Sequence, residues 1–160
     1  MGRQHAGHLT MATVEQVYHD AGRALEASNL LETELGTCLL ALDALETGSF
    51  ANPDADTYLR LREAIDSNTL GRSIRAIKAK LSIAENVDAV FQDALDARNY
   101  LAHRFFPHYG LKIHDPAGRD EMVAHIDRLR DAIWAAYTVA GTWSTLLVAS
   151  VRVLAKSKSS

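Results

Sequence analysis

The chain has 160 residues, a length that suits one domain with a substantial core. Its apolar content of 48% and its three prolines argue against extended disorder. The net charge of −3 is spread without a polybasic block, which excludes attraction to nucleic acid by overall charge alone. Any contact with RNA or DNA must therefore be local.

The amino terminus and the cysteine content predict a cytoplasmic protein. The first ten residues contain no apolar stretch of the kind that a secretory signal needs. Cys38 is the single cysteine, so it has no partner for an internal disulfide, and this fits a reducing compartment.

One segment has the length of a membrane span. Residues 132–151 carry no charge, and about twenty such residues can cross a bilayer. The segment is rich in Ala, Thr, Ser and Gly, so its insertion is only weakly favourable. We expect a buried core helix or a dimer interface there, and no membrane partner.

Hydrophobic periodicity predicts an all-α fold. Apolar residues recur at helical spacing and no strand-like alternation is found. The predicted helices cover residues 10–45, 57–66, a segment opening at 69, 87–106, and a segment from about 116 or 120 to 154. We expect an up-and-down bundle of about five helices with a four-helix-bundle core, forming one domain over 10–155 between a flexible arm (1–9) and a flexible tail (156–160).

The first helix has a continuous apolar stripe with alternating spacings of three and four. Its members are Val14, Val17, Ala21, Ala24, Ser28, Leu31, Leu35, Cys38, Leu42 and Leu45. Such a stripe packs along another helix, either in the same chain or in a second copy. Gly48 should end this helix, with a turn over 50–56, and Asn86 should cap the helix over 87–106. Pro107 should end that helix, followed by a loop over 108–118.

The helix opening at residue 69 is the most basic part of the chain. Its cationic residues are Arg72, Arg75, Lys78 and Lys80. They form either a solvated face or a surface that contacts a phosphate backbone. The weaker candidates for RNA binding are accordingly Arg72, Arg75, Lys78 and Arg104.

The sequence contains few motifs that indicate a cofactor or metal site. No glycine-rich dinucleotide or phosphate loop is present, and no CxxC pair. The carboxylate and histidine residues with spacings or positions suitable for a metal are Glu15 with His19, Glu121 with His125, and His108, His114 and Asp115. We expect these to be surface ion pairs and solvated histidines, and we predict neither a metal nor a cofactor.

The strongest candidate site is the segment 96–106. Asn99 and His103 lie one helical turn apart, and Asp96 shares their face. Arg98 starts on another side of the helix, but its long side chain can wrap across so that its head lies beside the imidazole. A guanidinium and an imidazole together can neutralise a phosphate and move a proton near neutral pH.

This segment resembles the Arg-x4-6-His signature of the HEPN superfamily, in the form where a polar residue, here Asn99, follows the arginine. The position of the segment on a late helix of an all-helical chain agrees with this resemblance. The same spacing also occurs at Arg3–His8, and a looser one at Arg119–His125. The first of these lies in the expected flexible arm, and the second lies at a helix start without a polar neighbour of the right type.

The resemblance implies a metal-independent endoribonuclease that cleaves single-stranded RNA, often a toxin or defence protein, with two copies facing one cleft in a homodimer. It implies that His103 moves protons and that Arg98 binds the phosphorane oxygens. Asn99 would bind the phosphate or orient the imidazole, and Asp96 would set its tautomer.

Phe105 departs from a pattern in the family. Toxins that a nucleotidyltransferase antitoxin silences often have Tyr two residues after the histidine, where this chain has Phe105. An antitoxin that modifies that residue is therefore not expected.

The alternative to an active ribonuclease is a catalytically inactive HEPN-like helical protein that binds a regulatory partner.

Overall fold

The computed structural model describes residues 11–49 and 68–158, and between them residues 55, 56, 59, 62 and 63. The described elements are α1 (Val14–Thr47), α2 (Leu70–Lys80), α3 (Glu85–His103), α4 (Phe105–Tyr109), a 3-10 helix (Gly110–His114) and α5 (Pro116–Lys158). No strand occurs in these ranges, and the protein is an all-α helical bundle, as predicted. The predicted arm and the turn over 50–54 lie outside the described residues, as does most of the predicted helix over 57–66.

The helix α1 begins and ends on local signals that the sequence contains. The Thr13 hydroxyl accepts a hydrogen bond from the backbone N–H of Gln16, which caps the first turn. Gly48 ends the helix with φ of 68°, a left-handed conformation that glycine adopts without strain. The predicted stripe is confirmed: all its members are buried except Val14 and Leu45, which are half-buried.

The two long helices α1 and α5 run parallel to each other. Near their starts, the backbone N–H of Ala12 donates to the Asp120 carboxylate. Further along, the Ser144 hydroxyl donates to the Glu34 carboxylate. The two pairs are 108 and 110 residues apart in sequence, as parallel neighbours require. The Cys38 thiol of α1 also donates to the Ala140 carbonyl of α5.

The helix α3 lies antiparallel to both long helices and closes the bundle. One apolar cluster contains residues of α1, α2, α3 and α5, with Phe91 packed against Trp143. The second cluster lies around Phe105 and joins the start of α1 to α4 and the start of α5. Fully burying side chains such as Leu31 and Phe105 contributes roughly 1.5–3 kcal/mol each.

The predicted bounds around α3 were wrong at both ends. The helix begins at Glu85 after Ala84, whose carbonyl accepts from Val87 and Asp88, so Asn86 lies inside the first turn. It ends at His103 because Arg104 leaves the helical conformation (φ −124°, ψ −22°).

Pro107 does not end α3 but lies in the first turn of α4. Backbone N–H groups in the first turn of a helix have no acceptor within the helix. Proline, which lacks this N–H, is therefore tolerated there. The predicted loop over 108–118 is consequently mostly helical, formed by the end of α4, the 3-10 helix and the start of α5.

The second half of α5 buries one face only. Ile133, Ala136 and Ala140 are buried against the bundle, while Leu146 and Val153 are 62% and 66% exposed. By length and composition, Pro116–Ser157 can cross a membrane, with mean hydropathy 1.3 in its most apolar window. Only 11% of that window is buried within the chain. The helix continues through Lys158, into the segment predicted as a tail.

Candidate functional site

An open groove of about 860 Å³ lies between the end of α3 and the middle of α5. Its charged and hydrogen-bonding lining includes Asp96, Asn99, His103 and Arg104 from the α3 side, and His125 and Arg128 from α5. Beside the groove the antiparallel helices α3 and α5 are in contact through Tyr100 and His125, whose ring centroids lie 5.1 Å apart with the ring planes tilted by 38°. The structure therefore brings three of the four predicted catalytic residues into one cavity.

His103 is the exposed imidazole of the groove. It occupies the last helical position of α3, and its side chain is exposed. The next residue, Arg104, leaves the helical conformation and also lines the groove, so an imidazole and a guanidinium both contribute to its lining. Both side chains are available to a phosphate, and one of them can exchange a proton.

Arg98 does not line this groove but faces α1. Its Nη1 donates to Asn99 Oδ1 over 3.3 Å, and its Nη2 lies 3.9 Å from Glu32 Oε1. That Glu32 oxygen is buried and has no hydrogen-bond partner in the part of the chain that the structure describes. The guanidinium thus lies near a carboxylate that has one buried oxygen, and at the same time it donates to the side-chain oxygen of Asn99.

This contact determines which end of Asn99 is available. Because Oδ1 accepts from Arg98, the amide group is oriented with its two N–H donors directed elsewhere. Asn99 also lines the groove, so its Nδ2 is suited to donate to an anion bound there.

Asp96 also lines the groove, and it accepts a hydrogen bond from a residue of its own helix. Gln92 Nε2 donates to Asp96 Oδ1 over 3.0 Å, one turn before the carboxylate. With Asp93, Asp96 offsets the charges of Arg104 and Arg128, so the groove gains a net positive charge only when its histidines are protonated. Asp96 as the group that sets the tautomer of His103 stays a prediction.

His125 is a second imidazole of the groove that sequence reasoning did not assign to the site. Its Nδ1 lies 2.9 Å from the Tyr109 hydroxyl, and its ring packs on Tyr100 and on the buried Phe105. In the sequence, His125 appeared only in the looser Arg119–His125 spacing and in the pair of Glu121 with His125. No sequence pattern connects α4 and α5 at this point; the contact comes from the fold.

Burial keeps His125 neutral and Tyr109 protonated. Desolvation lowers the pKa of His125, and the nearby Arg128 and His108 lower it further, against a weaker opposite effect of Glu121. Desolvation is also the main cause that raises the pKa of Tyr109. The phenol therefore keeps its proton, and the imidazole beside it keeps a free lone pair.

The basic residues of α2 lie away from this groove. Arg72, Arg75 and Lys78 are exposed on α2, whereas the groove is formed by α3 and α5. Lys78 pairs with the Asp88 carboxylate at 2.7 Å, and Lys80 pairs with Glu46. Of the four weaker RNA-binding candidates, the structure brings only Arg104 to the groove.

The candidate metal ligands engage other groups. His19 Nδ1 lies 3.1 Å from the carboxylate of its neighbour Asp20, and Glu121 accepts from Lys112 over 2.8 Å. Within the residues that the structure describes, no group of three His, Cys, Asp or Glu side chains is arranged to hold a metal ion.

Comparison with known proteins does not extend these observations: no family model, no curated protein and no solved structure matches the chain.

Proposed function

We propose that the protein is a HEPN-like, metal-independent endoribonuclease that cleaves single-stranded RNA. The observation that carries the proposal is the groove in which the exposed His103 lies with Asn99, Arg104 and Arg128. A proton-transfer group, a neutral donor and two guanidiniums are what phosphodiester cleavage needs from a protein that supplies no metal.

The reaction uses the 2′-hydroxyl of the RNA as its nucleophile. His103 takes the hydroxyl proton while O2′ forms a bond to phosphorus, and the P–O5′ bond breaks. The electron pair of that bond leaves with O5′, which accepts a proton from a second imidazole, His103 of a second copy in a homodimer. The products are an RNA with a 2′,3′-cyclic phosphate end and an RNA with a free 5′-hydroxyl.

The neighbouring side chains stabilise the charge that develops on the phosphorane oxygens. Arg104 supplies donors from the α3 side of the groove, and Arg128 supplies donors from α5. Asn99 Nδ2 supplies a neutral donor, and Arg98 orients it through the hydrogen bond to Oδ1. In this account Arg98 is a positioning residue, which modifies the direct phosphate-binding role implied by the family resemblance.

Cleavage of a fluorescent single-stranded RNA in excess EDTA tests the proposal. The full chain should produce 2′,3′-cyclic phosphate ends, and His103→Ala should abolish them while the helical circular dichroism is kept. His114→Ala is the matched control, since His114 is exposed on the 3-10 helix and does not line the groove. Absence of cleavage of any RNA by a folded wild-type protein overturns the proposal.

The dimer has its own test. Two copies of His103 can face one substrate only if the protein dimerises, so we expect the dimer mass by light scattering at micromolar concentration. A monomer that still cleaves RNA would contradict the two-copy arrangement without contradicting the ribonuclease.

A second candidate function is a catalytically inactive HEPN-like interaction protein, favoured by the exposed apolar side chains of α5. Trp134, Leu146, Val153 and Leu154 are all at least 37% exposed on this helix. In that case the protein would act in the cytoplasm through a regulatory partner or an antitoxin. His103→Ala would then leave binding to that partner intact, whereas Leu146→Glu on α5 would abolish it.

A further inference from the structure

We propose that His125 is a phosphate ligand of the same groove, contributed by the same chain as His103, and that it acts as a neutral imidazole whose Nε2–H donates to a nonbridging oxygen of the RNA phosphodiester. This inference rests on the proposed ribonuclease function and adds to it a second imidazole with a role different from that of His103.

The contact with Tyr109 determines which ring nitrogen is available. The Tyr109 hydroxyl lies 2.9 Å from His125 Nδ1, and the Tyr109 side chain is buried against the Phe105 ring. A buried phenol keeps its proton and must donate it, so it donates to Nδ1. The proton of the neutral imidazole is then on Nε2, which is the nitrogen left for a ligand in the groove.

The ring itself is held rigidly. Tyr100 packs on it from α3 at 5.1 Å, and Phe105 and Tyr109 pack on it from α4 at 5.8 and 5.9 Å. A donor fixed before the substrate arrives requires no reorganisation when charge develops, which is the condition for stabilising an oxyanion. Tyr100 also precedes His103 by one helical turn on α3, so both imidazoles flank the same part of the groove.

The charges around His125 favour the neutral form. The titratable or charged groups that face it are Tyr100 on α3, Tyr109 and His108 on α4, and Arg128 and Glu121 on its own helix. Two of them, Arg128 and His108, disfavour an additional proton, and burial acts in the same direction. A neutral imidazole that donates through Nε2–H needs no protonation change, so this role is available across neutral pH.

The tautomer can be measured without any activity. In 15N-detected NMR of the full chain at neutral pH, we expect His125 to have a protonated Nε2 and an unprotonated Nδ1. Tyr109→Phe keeps the ring but removes the hydroxyl, so this variant should shift His125 toward a mixture of tautomers. A His125 protonated on Nδ1 in the wild type overturns the proposal.

Kinetics test the contact with the substrate. His125→Leu removes the donor and should lower kcat/KM roughly 100-fold, whereas His125→Gln keeps an N–H donor and should retain most of the activity. His114→Gln is the matched control and should leave kcat/KM unchanged. Replacing one nonbridging oxygen of the scissile phosphate by sulfur, in one of the two stereoisomers, should slow cleavage by the wild type. The same replacement should leave the cleavage rate of His125→Leu unchanged.

Failure of this inference differs from failure of the proposed function. A wild type that cleaves RNA while His125→Leu stays within about twofold of it overturns the role of His125 alone. A folded wild type that cleaves no RNA overturns both.

Discussion

The pair Arg98 and Glu32 gives the sharpest prediction on stability. Their side chains are 29% and 27% exposed, and Glu32 Oε1 is buried without a hydrogen-bond partner in the part of the chain described. Two unit charges about 4 Å apart interact by about 4 kcal/mol at an effective dielectric constant of 20, before desolvation is counted. Removing Arg98 leaves the buried oxygen without its nearest described cation.

We expect Arg98→Met to lower the free energy of unfolding by ~1–3 kcal/mol, the cost of an uncompensated buried acceptor. The matched change Glu32→Leu in that background should recover most of the loss, because both partners are then apolar. Urea denaturation of the four proteins of this double-mutant cycle at pH 7 gives the coupling free energy. If the two losses add within about 0.3 kcal/mol, the coupling between Arg98 and Glu32 is refuted.

Three further outcomes follow from single sites. Burial raises the pKa of Cys38 to about 12, so the native protein should resist iodoacetamide at pH 8, and rapid alkylation without unfolding would contradict this. A Cβ at Gly118 would overlap the backbone carbonyl of Lys112, so Gly118→Ala should lower Tm by an amount equivalent to ~1–3 kcal/mol, whereas Gly22→Ala, with open space around it, should raise Tm. Because the folded-state pKa of His125 is lowered, the unfolded chain binds the proton first; stability should fall as pH drops below about 6.5, and His125→Gln should flatten that slope in urea titrations.

Periodic and local signals predicted much of the fold. The stripe of α1 and the stop at Gly48 depend on residues close in sequence, and the structure confirms both. Pro116 begins α5 as one of the two predicted starts. Such features are predictable because helical periodicity and capping act within a few turns.

The wrong bounds of α3 have a physical cause. Asn86 can cap a helix or lie inside its first turn, and Pro107 can follow the end of a helix or lie in the first turn of the next one. Tertiary packing decides which of these occurs. Phe105 is completely buried between α1 and α5, which fixes the turn at Arg104 and starts a new helix before the proline.

The candidate site was predictable only within one helix. Asp96, Asn99 and His103 share a face because of helical geometry, and all three line the groove. The orientation of Arg98 depends on Glu32 of α1, and the second imidazole comes from α5. Contacts between distant segments require the packing of the helices, which periodicity alone does not specify.

The central claim is that His103 transfers protons in an RNA cleavage that needs no metal. Its most direct test is the chemistry of the cleaved ends in EDTA, read by mass spectrometry of a defined single-stranded RNA. We predict 2′,3′-cyclic phosphate ends from the wild type and from His114→Ala, and none from a folded His103→Ala. Intact RNA with all three proteins, or equal cleavage by all three, would contradict the claim.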